Sequence, residues 1–101
     1  MSRQSWVVST ALLLTLLIAS CQSSGARFEL ARDYYNIGNA YSDLKEYEKA
    51  AAYYKRALDL DPAINQAAYN LARTSLEIEE YDLAIKLLTD LEKKTAPILW
   101  F

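Results

Sequence analysis

The sequence predicts an all-α fold of two helix-turn-helix hairpins set behind an amino-terminal leader. Three observations carry this. Apolar residues recur with a helical period, and the chain matches itself at an offset of 34 residues. Glycine and proline occur only as Gly25, Gly38, Pro62 and Pro97, too few for the turns of a β-sandwich.

The leader comes first. Met1 to Trp6 holds one cation, Arg3, and no acid, and Val7 to Ile18 is an uncharged, largely apolar run ending in Ala19-Ser20-Cys21. This order is that of a secretory signal over residues 1–20. The run is short for a helix crossing ~30 Å of hydrocarbon, which needs about 20 apolar residues. The residues alone are also compatible with an uncleaved anchor in which Cys21 is a free thiol. Ile18-Ala19-Ser20-Cys21, however, resembles the lipobox of bacterial lipoproteins. That resemblance implies cleavage between Ser20 and Cys21, a diacylglyceryl group on the Cys21 thiol and usually a further acyl group on the new amino terminus, and two or more acyl chains anchor stably. The expected location is then the cell membrane or the outer membrane, lipid-anchored on the periplasmic or extracellular side. Gln22 in place of Asp favours the outer membrane by analogy. Residues 21–26 read as the lipidated cysteine and a polar tether, with Gln22 to Gly25 spanning about 14 Å when extended.

Beyond Gly25 four helices are expected. Tyr34, Ile37, Gly38, Tyr41 and Leu44 mark one face of a helix over 27–45. Tyr47, Ala50, Tyr54, Ala57 and Leu58 mark a second over 47–60, ended by Asp61-Pro62 because proline disfavours helical geometry in the residue before it. The offset match predicts the remaining pair over 64–79 and 81–94. It sets Tyr35 against Tyr69, Asn36 against Asn70, Ile37 against Leu71, Tyr47 against Tyr81 and Ala50 against Ala84.

The first unit, 31–64, closely resembles a tetratricopeptide (TPR) repeat, on Tyr34, Ile37-Gly38, Tyr41, Ala50, Tyr54, Ala57 and Pro62. Small Gly38 and Ala50 suit close helix approach, near the ~8–10 Å of packed helices. The second unit, 65–98, resembles it less: Ala68, Ala72 and Ser75 replace the aromatic, the glycine and the second tyrosine, and Leu91 replaces an alanine. Leu91 would crowd a following helix, as suits a terminal repeat. The resemblance implies a short right-handed α-solenoid over 27–98 with a concave groove on the first helix of each hairpin. Its groove positions fall on Arg32, Tyr35, Asn39, Ser42 and Asp43, then on Gln66, Tyr69, Arg73, Leu76 and Glu77. Asn39 and Asn70 also match the asparagines of the carboxylate clamp some TPR domains use. Tyr35 stands in place of the clamp's first lysine, and converging cations are lacking.

Composition narrows the function. The formal net charge is −2, and removing the leader takes away Arg3 and leaves −3, with no basic cluster for nucleic acid. With no histidine and one cysteine, a His/Cys metal cluster, a Ser-His-Asp relay and an internal disulfide are excluded. No cofactor, metal or catalytic residue is expected, and Glu79, Glu80 and Asp82 read as a solvated turn. The expected role is a membrane-anchored, non-catalytic adaptor that binds a protein or peptide partner in the cell envelope. The alternative is a small structural subunit of an envelope assembly, of the pilus or outer-membrane biogenesis type, packed through its apolar carboxyl-terminal end. Residues 99–101 form that apolar tail. Two hairpins are fewer than the three that usually bury a continuous core, so self-association or a partner would supply the missing burial.

Overall fold

The computed structural model describes residues 2–99, and their side chains over 5–16 and 24–95. The described residues form four helices in order: α1 Ser2–Asp43, α2 Tyr47–Leu60, α3 Asn65–Glu77 and α4 Tyr81–Leu99. The all-α expectation holds. Each helix packs against the next in sequence, and α1 also touches α3. Two hairpins therefore stack, with α1 and α3 side by side along one face.

The two hairpins close in the same way. After α1, Lys45 N–H donates to Ser42 O (2.9 Å) and Glu46 N–H to Tyr41 O (3.0 Å), with Lys45 at φ 60°. After α3, Glu79 N–H donates to Leu76 O (3.3 Å) and Glu80 N–H to Ser75 O (2.8 Å), with Glu79 at φ 64°. Both are Schellman caps, and in both a charged residue holds the left-handed position that glycine normally fills. Between the hairpins, Asp61 is extended, as the residue before a proline prefers, and its Oδ1 accepts from Ala63 N–H at 3.1 Å. Arg27 donates to the terminal carbonyls of α2, reaching Leu60 O at 3.0 Å and Asp59 O at 3.5 Å. A cation there satisfies orphan acceptors at the negative end of the helix dipole.

The core is built largely from small residues. Ala31, Ala50, Ala57, Ala67, Ala72 and Ala84 are fully buried, and Ala51, Tyr54 and Leu71 join them. Outside this seam the first hairpin carries an aromatic ladder. Tyr53 stacks on Tyr41 (centroids 5.4 Å) and tilts against Tyr34 (5.9 Å), and the Arg56 guanidinium lies 5.1 Å from the Tyr53 centroid. In the second hairpin Ser75 and Leu87 occupy the places of Tyr41 and Tyr53. Ser75 is fully buried, and its Oγ finds no hydrogen-bond partner among the described residues.

Three helices differ in their bounds from expectation: α3 runs over Asn65–Glu77 where 64–79 was expected, and α1 and α4 depart further. The first helix begins at Ser2, not at 27, so residues 22–25 continue the helix and are not an extended tether. No proline interrupts this stretch, and Gly25 is helical with open space around it. The same helix ends at Asp43, two residues early, where the cap at Lys45 forms. The last helix runs past 94 through Pro97 to Leu99. Pro97 has no N–H to donate to the carbonyl of Lys93, so one ladder bond is absent near the end of α4. Leu99 thus belongs to α4, and the rest of the expected tail, Trp100 and Phe101, lies outside the described residues. The α1 side chains described over 5–16 are all exposed. Among the described residues no helix is long and apolar enough to cross a membrane.

Candidate functional site

A polar cleft of about 540 Å³ opens between α1 and α3, with α2 at its floor. Asn39, Ser42 and Asp43 line it from α1, Asn70, Arg73, Thr74 and Glu77 from α3, and Tyr47 and Tyr54 from α2. On α1 and α3 these residues fall three or four apart, so helical geometry brings them to one face.

A hydrogen-bond network fixes its centre. The Tyr54 hydroxyl donates to Asn39 Oδ1 at 2.6 Å, and Asn70 Nδ2 donates to the same oxygen at 3.0 Å. Asn70 Nδ2 also reaches the Tyr35 hydroxyl at 3.5 Å, while the Tyr35 ring tilts against Tyr54 with centroids 6.1 Å apart. Burial pushes the Tyr54 phenol above its usual 10.0, and hydrogen bonding with Ser42 and Asn70 pulls the other way. Tyr54 is therefore a neutral donor that orients Asn39. Arg73 is the only cation in the lining, and Asp43 and Glu77 are its two acids. That balance suits a neutral or basic ligand and opposes a free carboxylate, which needs converging donors.

Of the groove residues expected from sequence, Asn39, Ser42, Asn70 and Arg73 line the cleft, as do Asp43 and Glu77. Tyr35 braces it through Asn70. Arg32, Gln66, Tyr69 and Leu76 are exposed on α1 and α3 outside the lining. Tyr47, Tyr54 and Thr74 were not among the expected positions. Tyr54 carried a readable signal, because a buried tyrosine must find a partner for its hydroxyl. Ser20 and Cys21, the expected cleavage and lipidation residues, have side chains outside the described set. Among the described residues no group of three His, Cys, Asp or Glu could hold a metal ion.

Stacked antiparallel hairpins with a cleft along their first helices define the class: an α-helical repeat of TPR type. Residues 31–63, about a third of the chain, match the tetratricopeptide repeat family. The chain thus carries a TPR repeat over α2 and the hairpin portion of α1, and α3 with α4 form a second hairpin stacked on it. Repeats of this family generally mediate protein–protein interaction and are typically non-catalytic. No curated protein matches the chain.

Proposed function

We propose that this chain is a lipid-anchored, non-catalytic adaptor of a bacterial cell envelope, and that its α1–α3 cleft binds an extended segment of a partner protein. The observation that carries the reading is the pair Asn39 and Asn70, held 3.0 Å apart at the centre of an open cleft. Asparagine amides both donate and accept, so they can grip a peptide backbone whatever its side chains. Asp43 and Glu77 against the single Arg73 favour a segment bearing Lys or Arg. The anchor rests on the sequence features of residues 1–21, with Cys21 as the lipidated residue and an envelope location following from it.

The cleft is tested by selecting random peptides on the full-length chain in mild detergent. Extended peptides enriched in Lys or Arg are expected, and Asn39→Ala with Asn70→Ala should weaken their binding at least about tenfold, as loss of two central polar anchors does. Selected peptides that bind the double variant as well as the original chain would remove the cleft from the account.

A further inference from the structure

We propose that copies of this chain stack head to tail, the outer face of α4 in one copy packing on the outer face of α1 in the next. The contact repeats the α2–α3 interface inside each chain. It uses a different face from the cleft and does not rest on the lipid anchor.

The internal interface sets the register. Counting equal numbers of residues back along α2 and forward along α3 from the Asp61–Ile64 turn sets Tyr54 against Leu71, Ala51 against Thr74 and Tyr47 against Ile78, the cap of α3. Ala51, Tyr54 and Leu71 share one buried cluster, with Ile78 packed against it. Moving 34 residues on from the α2 side gives Leu88, Ile85 and Tyr81. Moving 34 back from the α3 side gives Ile37, Ala40 and Leu44. The pairs between copies are then Leu88 with Ile37, Ile85 with Ala40 and Tyr81 with Leu44, apolar throughout. Large residues meet small ones in the middle pair, and the last pair keeps the tyrosine–aliphatic chemistry of Tyr47 with Ile78.

Exposure shows that these faces lack the neighbour their counterparts have. Ala51 and Tyr54 are 2% and 1% exposed, but Ile85 and Leu88 are 62% and 40%. Leu71 is 2% exposed, but Ile37 is 39%, and Leu44 is 69%. Positions covered within a hairpin behave otherwise: Ala50 and Ala84 are both fully buried. Among the described residues no hairpin covers these faces, and the difference lies there and not in loose packing of the second repeat. At the rim Asp33 replaces Ala67 and comes level with Glu92, a like-charge pair that keeps the contact weak. Such a contact is heterologous, so it leaves a free face at each end and extends. It would also set the next α1 beside α3, prolonging the cleft.

The test is sedimentation of the full-length chain in mild detergent over a concentration series, with Ile37→Glu and Ile85→Glu variants. Both sites are exposed, so neither change should disturb the fold. The unaltered chain should grow beyond a dimer, and each variant alone should associate at least about tenfold more weakly. An equimolar mixture should form a one-to-one complex, because each variant retains the face the other lacks. That rescue also shows that both are folded. Three results would overturn the proposal: an original chain that stays monomeric, a face awaiting another protein; an Ile37→Glu chain that still associates, a symmetric α4 contact; or an Ile85→Glu chain that does so, a contact through α1 alone.

Discussion

Gly38 lies against the ring of Tyr54 so closely that a β-carbon at position 38 would stand 2.7 Å from both Cδ1 and Cε1. Tyr54 is buried and tied to Asn39, so it cannot swing away without breaking the network that shapes the cleft. Gly38→Ala should therefore destabilise the fold by about 1–3 kcal/mol, the usual cost of overpacking, despite alanine's helix advantage. Gly25, with nothing within 4 Å, is the control: Gly25→Ala should not lower stability. Urea unfolding followed by helical signal distinguishes the two, and a Gly38→Ala chain as stable as the original would contradict this packing.

Removing the Tyr54 hydroxyl separates its two roles. Tyr54→Phe keeps the ring against Gly38 but loses the 2.6 Å bond to Asn39, at a cost of about 1 kcal/mol, since Asn39 Oδ1 still accepts from Asn70. The pH dependence follows from the raised phenol. The folded chain holds this proton where the unfolded chain has lost it, so the contribution is complete below pH 10.0 and declines as pH rises past it. Denaturation at alkaline pH should thus be less steep in Tyr54→Phe. An unchanged slope would show that the phenol is not perturbed.

The two hairpin turns hold charged residues in the left-handed region, which costs a non-glycine residue roughly 1–2 kcal/mol. Part of that gain is returned through glycine's freer unfolded chain. Lys45→Gly and Glu79→Gly should each stabilise by about 0.5–1 kcal/mol, and the two should add because the turns are separate. Thermal melts of the singles and the double check this. A loss of stability in either single variant would mean the turn is held by its side chain and not by backbone geometry.

The proposed lipidation of Cys21 predicts that labelled fatty acid enters the chain in producing bacteria, and that Cys21→Ser takes up none. Equal labelling of the two chains would leave Cys21 a plain thiol and remove the anchor.

Much of the fold was legible because its determinants are local. Tyr47 to Leu60 was read from its apolar stripe and the Asp61-Pro62 stop, and α2 has those bounds. The ends of α1 and α3 were read two residues late, since Lys45 and Glu79 give no glycine to mark a cap. The continuity of α1 through Gly25 was missed for a related reason: a polar stretch reads as a linker unless a breaker is sought and found absent. Within the cleft, six of the seven residues on α1 and α3 fall on positions the family resemblance implies, and Thr74 does not. Nor does Tyr54, because its stripe position says core and only the paired asparagines reveal where its hydroxyl points. The unmatched faces of α1 and α4 needed burial to be compared at an offset of 34, which no periodicity supplies.

The central claim is that the α1–α3 cleft grips an extended segment through Asn39 and Asn70. Side-chain amide NMR of the full-length chain during titration with a selected basic peptide tests it most directly. The Asn39 and Asn70 amide signals should move together and saturate with the binding curve. Signals that stay fixed while those of Ile85 and Leu88 move would place the peptide on α4 and contradict the account.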